Sequence, residues 1–145
     1  MLNIEAVNHV GIRVSDKDRS IAFYAGLGFE LIEDAGFVDG HPVIMTHAGG
    51  VTLNLLGPAS SDEPGNILMD VAEKHTGITH LALTVTSLDA TKDFLSAEGI
   101  EITGSFSFKG MSAVFIRDPD RNVIELDAYG NARTEDLDGY INHPG

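Results

Sequence analysis

The chain has 145 residues, of which 43% are hydrophobic and 21% are charged, as in a folded globular domain rather than a disordered or low-complexity segment. Nine basic residues stand against 22 acidic ones, and the formal net charge of −13 argues against binding to nucleic acid or to anionic membranes. The absence of cysteine excludes disulfides, zinc–thiolate sites and thiol nucleophiles. Because no stretch has the pattern of an export signal or a membrane span, we expect a cytoplasmic protein.

The first predicted element is a strand within residues 4–14, where apolar and polar residues alternate. Ser15 is predicted to cap a helix of about ten residues, and Gly28 to follow its end. Three short strands are then predicted, at 29–36, 42–48 and 51–57. Residues 4–57 therefore form a predicted βαβββ module.

The same order of elements recurs after a turn-rich linker at 58–76. A strand at 77–86 precedes a helix capped by Ser87. Three further strands are predicted, at 100–107, 112–117 and 122–128. We predict that residues 1–145 form one domain of two modules, the second at 77–128, followed by a polar tail at 129–145 that lies on the surface or on a partner subunit.

An internal repeat relates the two modules. An offset of 71 residues carries His9 onto His80 and Asn54 onto Glu125 without a gap. A register that holds over some 45 residues is hard to attribute to chance, so the chain is interpreted as a duplication.

Alternation along the predicted strands separates an aliphatic face, which suits packing against the helices, from a polar face. The polar face collects His9, Arg13, Asn54, His80, Glu125 and Asp127. Two imidazoles and a carboxylate that converge on one point can hold a divalent metal on one side and leave positions open for a substrate. Because the repeat brings the two histidines into equivalent positions, we predict a metal site made of His9, His80 and Glu125.

Several segments of the sequence resemble the vicinal oxygen chelate superfamily, which includes glyoxalase I, extradiol dioxygenases, and fosfomycin- and bleomycin-resistance proteins. The segments are Asn8–Val14, Ser20–Tyr24, Thr79–Leu83 and Phe115–Leu126. The resemblance covers about residues 4–128 and implies an α+β fold, in which paired βαβββ modules form a cup-shaped mixed β-sheet around Fe²⁺, Mn²⁺, Zn²⁺ or Ni²⁺. By position, His9, His80 and Glu125 fall on the metal ligands of the family.

The resemblance leaves the reaction open between branches. A His, His, Glu set with an open fourth position is what the dioxygenase branch uses, so the leading hypothesis is a dioxygenase-like enzyme whose small substrate chelates the ion through two neighbouring oxygens. Phe115 stands where extradiol enzymes have a tyrosine, and we expect it to line the pocket. One alternative is a glyoxalase I-like lyase or isomerase with Asn54 as a fourth ligand. The other is a thiol-transferase or a drug-sequestering resistance protein.

Arg13 shares the predicted polar face and can bind a substrate carboxylate or pair with a carboxylate such as Asp127. The resemblance places Arg13 where glyoxalase I has an arginine that contacts glutathione. It also implies a homodimer, since cups in this family commonly form across subunits. Whether one site takes His9 and His80 from one chain or from two stays open.

Overall fold

The computed structural model describes residues 1–60, 65–130 and 139–143. The chain divides into two compact units, Met1–Pro64 and Gly65–Gly145, and the division falls inside the predicted linker. Each unit contains one α-helix and one mixed β-sheet, which is the α+β class that the sequence predicts. Within the described residues, no helix is long and apolar enough to cross a membrane.

The first unit carries a four-stranded sheet. Its elements are β1 (Val10–Arg13), α1 (Lys17–Gly26), β2 (Glu30–Asp34), β3 (Val43–Thr46) and β4 (Thr52–Leu56). The strand order is β1-β4-β3-β2, with β1 parallel to β4 and the other pairs antiparallel. The predicted aliphatic face is the core, since Leu53 and Leu55 are fully buried together with Tyr24 of α1.

The second unit repeats this topology and adds one strand. Its elements are β5 (His80–Thr84), α2 (Leu88–Ala97), β6 (Gly104–Phe108), β7 (Met111–Arg117), β8 (Val123–Tyr129) and β9 (Gly139–Asn142). The strand order is β5-β8-β7-β6-β9, with β5 parallel to β8 and the other pairs antiparallel. Leu95 of α2 is buried with Ile116 and Ile124, which belong to the aliphatic face of this sheet.

The 71-residue offset holds in the structure at the helices and at the last strand of each module. Helix α2 begins and ends 71 residues after α1, and β8 begins 71 residues after β4. The offset fails at β6, which begins at Gly104 and not at residue 100 as predicted. A two-residue turn, Lys109–Gly110 with positive φ at both positions, closes the β6–β7 hairpin, whereas the first unit has a 3₁₀ turn, Val38–Gly40, between β2 and β3.

The helix ends agree with the sequence in three of four places. Ser87 caps α2, as predicted, by accepting a hydrogen bond from the Ala90 N–H at 3.2 Å. Gly28 and Gly99 both adopt positive φ just after the helices, which a residue with a side chain rarely does. The prediction for Ser15 was wrong, because Asp16 caps α1 while the Ser15 hydroxyl accepts from the Arg19 side chain at 2.9 Å.

The segment predicted as a tail contains structure that the sequence did not indicate. Tyr129 ends β8, and β9 pairs antiparallel with β6 at the edge of the second sheet. Residues 131–138 and 144–145, which belong to the same predicted tail, lie outside the described residues.

Candidate metal centre

Two of the predicted metal ligands meet in the second unit. His80 starts β5 and Glu125 lies in the middle of β8, and these strands are parallel neighbours in which Ala82 is in register with Glu125. The Nε2 atom of His80 lies 3.1 Å from Oε2 of Glu125, with side chains that are 35% and 11% exposed. Because residues two apart on a strand share a face, the imidazole and the carboxylate project from the same side of the sheet.

Contacts on the other side of the imidazole hold its orientation. The Oγ1 atom of Thr79 lies 2.8 Å from Nδ1 of His80. The ring of Phe115, which is in register with Glu125 on β7, stands edge-on to the imidazole with centroids 5.9 Å apart. When the Thr79 hydroxyl accepts the Nδ1 proton, Nε2 keeps its lone pair and faces a carboxylate oxygen. Two such acceptors stay close only if a cation, a proton or a metal ion, lies between them.

The first unit repeats this histidine arrangement. Nδ1 of His9 lies 2.6 Å from Oδ1 of Asn8, and Asn8 precedes His9 as Thr79 precedes His80. An amide oxygen only accepts, so with the amide in this orientation Nδ1 of His9 carries the proton and Nε2 is the free nitrogen. In the tautomer in which the Thr79 hydroxyl accepts the Nδ1 proton of His80, both predicted histidine ligands use the preceding side chain to leave Nε2 available, which is how metal-ligating histidines are commonly held.

The other predicted residues of the first unit lie on or beside its polar face. Asn54 is half-buried on β4, in register with Gly11 of β1 and Ile44 of β3. Arg13 is exposed at the end of β1, in register with Leu56. Asn54 thus occupies in its sheet the position that Glu125 occupies in the second sheet.

Asp127 is a second buried carboxylate on the polar face, for which the sequence suggested only a pairing with Arg13. Asp127 is 8% exposed, and its Oδ1 atom makes no hydrogen bond to the described part of the chain. Burial, followed by the charge and hydrogen bond of Glu125, raises the pKa of Asp127 to about 6. The alternation of β8 predicted the face of Asp127, but burial depends on the neighbouring strands and has no local signal.

Tyr140 is a second residue near this face that sequence reasoning missed. It lies on β9, and its ring stands edge-on to Phe115 with centroids 5.2 Å apart. Gly104 of β6 makes room for the ring, since a Cβ there would come within 2.8 Å of it. The signal available in the sequence was an aromatic residue next to a β-branched one, Tyr140 and Ile141, within an otherwise polar tail.

Among the described residues, one pair of side chains, His80 and Glu125, has the spacing of two ligands of a metal ion. Two ligands at a right angle, each about 2.1 Å from a divalent ion, are about 3 Å apart, close to the separation of His80 and Glu125. Within residues 1–60, 65–130 and 139–143, no three His, Cys, Asp or Glu side chains are grouped closely enough to hold a metal. His80, Phe115 and Glu125 are thus brought together in one unit. His9, Arg13 and Asn54 lie in the other unit, and their part in the same site stays a prediction.

Comparison with known proteins identifies the family. Residues 6–126 match the model of the glyoxalase/bleomycin resistance protein/dioxygenase superfamily. The chain belongs to this superfamily. It is 28% identical over 128 residues to the uncharacterized protein YwkD of Bacillus subtilis, covering 85% of this chain and 96% of that one.

Solved structures share the fold. The crystal structure of SMU.1112c matches with a TM-score of 0.69 and 28% identity, over 86% of this chain and 99% of that chain. Lactoylglutathione lyase from Agrobacterium tumefaciens matches with a TM-score of 0.63 and 22% identity, over 86% of this chain and 94% of that chain. At this identity the likeness to the lyase concerns the fold alone.

Proposed function

We propose that this chain is a divalent-metal-dependent enzyme that binds a small substrate through two neighbouring oxygens, with His9, His80 and Glu125 as its protein ligands. The observation that carries the proposal is the 3.1 Å approach of His80 Nε2 to Glu125 Oε2 on one sheet face. A bound ion supplies a Lewis acid that stabilises negative charge on the substrate oxygens.

The chain's own residues have separate parts in this proposal. Thr79 orients the imidazole of His80, and Phe115 supports the same ring from the side. Phe115 contacts the His80 ring, and the exposed ring of Tyr140 packs edge-on against Phe115, so that aromatic edges near the ligand pair are available to a planar substrate. The aromatic rings near the ligand pair favour a dioxygenase-like function, in which the substrate is a catechol or a related diol.

The first experiment measures metal binding. Metal-free protein is titrated with Fe²⁺, Mn²⁺, Zn²⁺ and Ni²⁺, and we expect one ion per chain with an affinity that falls in His80→Ala and Glu125→Gln. His75→Ala is the matched control, because Nε2 of His75 lies 3.8 Å from Glu73 in an exposed pair of the same unit. Wild-type protein that binds none of the four ions would contradict the proposal and favour a drug-sequestering protein.

The second experiment separates the reactions. Oxygen uptake with catechols in the presence of Fe²⁺ supports the dioxygenase-like function. Turnover of methylglyoxal with glutathione in the presence of Ni²⁺ or Zn²⁺ supports the glyoxalase I-like alternative. What favours this alternative is Asn54, whose half-buried amide stands at the position equivalent to Glu125 and offers an oxygen ligand. An amide cannot act as a base, however, so a proton-transfer isomerase would need its base elsewhere.

The proposal includes a homodimer. Light scattering that gives the 15.5 kDa mass of one chain would contradict it.

A further inference from the structure

On the sheet face that carries Glu125, the second unit contains a buried carboxylate oxygen without a donor. Asp127 is 8% exposed, and Oδ1 of this residue has no hydrogen-bond partner among the described residues. A buried acceptor that is left unsatisfied destabilises the folded state. An unsatisfied group of this kind in a folded protein requires an explanation, and a role in binding or catalysis is one of the recognised explanations.

The residues of β5 that lie beside Asp127 have small side chains. Asp127 is in register with Thr84 on β5 and with Ala113 on β7. Ala82, two residues before Thr84, is in register with Glu125, and both Ala82 and Thr84 are exposed. A ligand held at His80 and Glu125 can therefore extend past Ala82 towards Asp127 without meeting a large side chain on β5.

We propose that Asp127 is a substrate-binding residue that accepts a hydrogen bond from a hydroxyl or ammonium group of the substrate, beyond the two chelating oxygens. The assignment rests on the function proposed above and narrows its substrate class. The substrate is a diol with an additional donor group, and this group is not a carboxylate. With Glu125 bound to the ion, the carboxylate of Asp127 still repels a second carboxylate placed next to it.

The test compares three catechols that differ in one substituent, with wild-type protein loaded with Zn²⁺ so that no oxidation occurs. Dopamine carries an ammonium group, 4-ethylcatechol lacks a donor at that place, and 3-(3,4-dihydroxyphenyl)propionate carries a carboxylate. Calorimetric titration is expected to show dopamine binding about tenfold more tightly than 4-ethylcatechol. We expect the propionate to bind most weakly of the three.

Two variants assign the preference to a residue. Asp127→Asn removes the charge and keeps the shape, and because a charge-assisted hydrogen bond is about twice as strong as a neutral one, the preference is expected to fall to about threefold. Asp93→Asn is the matched control, since it removes one charge from the exposed side of α2. We expect Asp93→Asn to keep the tenfold preference.

The outcomes distinguish the two proposals. Equal binding of dopamine and 4-ethylcatechol to the wild type overturns the role of Asp127, while binding of both leaves the metal-dependent function standing. Binding of none of the three overturns the proposed function and the assignment that rests on it. Equal loss of preference in both variants attributes it to the overall negative charge and overturns the assignment. If Asp127→Asn does not fold, Asp127→Ser takes its place, and a tenfold preference that survives in Asp127→Ser overturns the assignment.

Discussion

Replacing Thr79 by valine removes the hydroxyl that holds His80 and keeps the shape of the side chain. Oγ1 of Thr79 lies 2.8 Å from Nδ1 of His80, on the ring atom opposite the one that faces Glu125. Removing such an outer contact typically lowers metal affinity about 10- to 100-fold. Thr79 is half-buried and His80 is exposed, so we expect the lower end, about tenfold or ~1.4 kcal/mol.

The assay is a competition titration of metal-free protein against a chromophoric chelator, with the melting temperature measured in parallel. Thr79→Ser keeps a hydroxyl and is expected to restore most of the affinity. Thr84→Val makes the same chemical change at an exposed position of β5, the strand that begins at His80, and is expected to leave the affinity unchanged. If Thr79→Val binds metal as tightly as Thr84→Val, the hydroxyl does not orient a ligand and the reasoning fails.

Asn8 allows the same test in the first unit. Its amide oxygen lies 2.6 Å from Nδ1 of His9, so Asn8→Ala is expected to lower the metal affinity by a similar factor if His9 binds the same ion. If metal affinity falls in Thr79→Val but not in Asn8→Ala, His9 does not belong to the proposed ligand set. It would leave His80 and Glu125 in it.

Three further predictions concern stability and are measured by urea or thermal unfolding. Gly104→Ala is expected to cost about 1 kcal/mol, because the new Cβ meets the Tyr140 ring, and a smaller additional cost in a Tyr140→Ala background would confirm the clash. Ser87→Ala removes the N-cap of α2 and is expected to cost about 1 kcal/mol; an unchanged unfolding midpoint would contradict this. Hydrogen bonds from arginines such as Arg117 hold the pKa of Asp70 well below its ordinary value against the opposing effect of burial. This ion pair therefore stabilises the fold above the unfolded pKa of about 3.9 and is lost as pH falls below it, and Asp70→Asn is expected to flatten that acid dependence. An unchanged acid dependence would contradict the last prediction.

Local signals predicted most of the helices and strands correctly. The repeat carried the helices from one module to the other because caps such as Ser87 and glycines such as Gly99 act within a few residues of the backbone they shape. Alternation placed Leu53 and Ile124 in the two cores because side chains in a strand change sides at every residue. The start of β6 was wrong because the hairpin turn at Lys109–Gly110, and not the strand's own pattern, fixes its pairing with β7.

Nonlocal pairing accounts for what the sequence did not predict. Strand β9 exists through its contact with β6, which is some 35 residues earlier in the chain, and its own strand signal is limited to the pair Tyr140 and Ile141. The position of Tyr140 against Phe115 follows from that pairing. The burial of Asp127 likewise depends on β5 and β7, so alternation could assign its face but not its lack of a partner.

The duplication also bears on the charge of the proposed ligand set. The equivalent positions of the two modules, 54 and 125, hold an amide in one sheet and a carboxylate in the other. A set of His9, His80 and Glu125 therefore contributes one negative charge, and a divalent ion bound to it keeps a net positive charge. That charge favours substrates whose chelating oxygens ionise, as those of a diol do. A second carboxylate at position 54 would neutralise the ion and supply a base, which suits a proton-transfer reaction better than the binding of an ionised diol. Asn54 therefore offers an oxygen ligand to a glyoxalase I-like site, but its lack of charge favours the dioxygenase-like proposal, on electrostatic grounds that are independent of the aromatic contacts of Phe115.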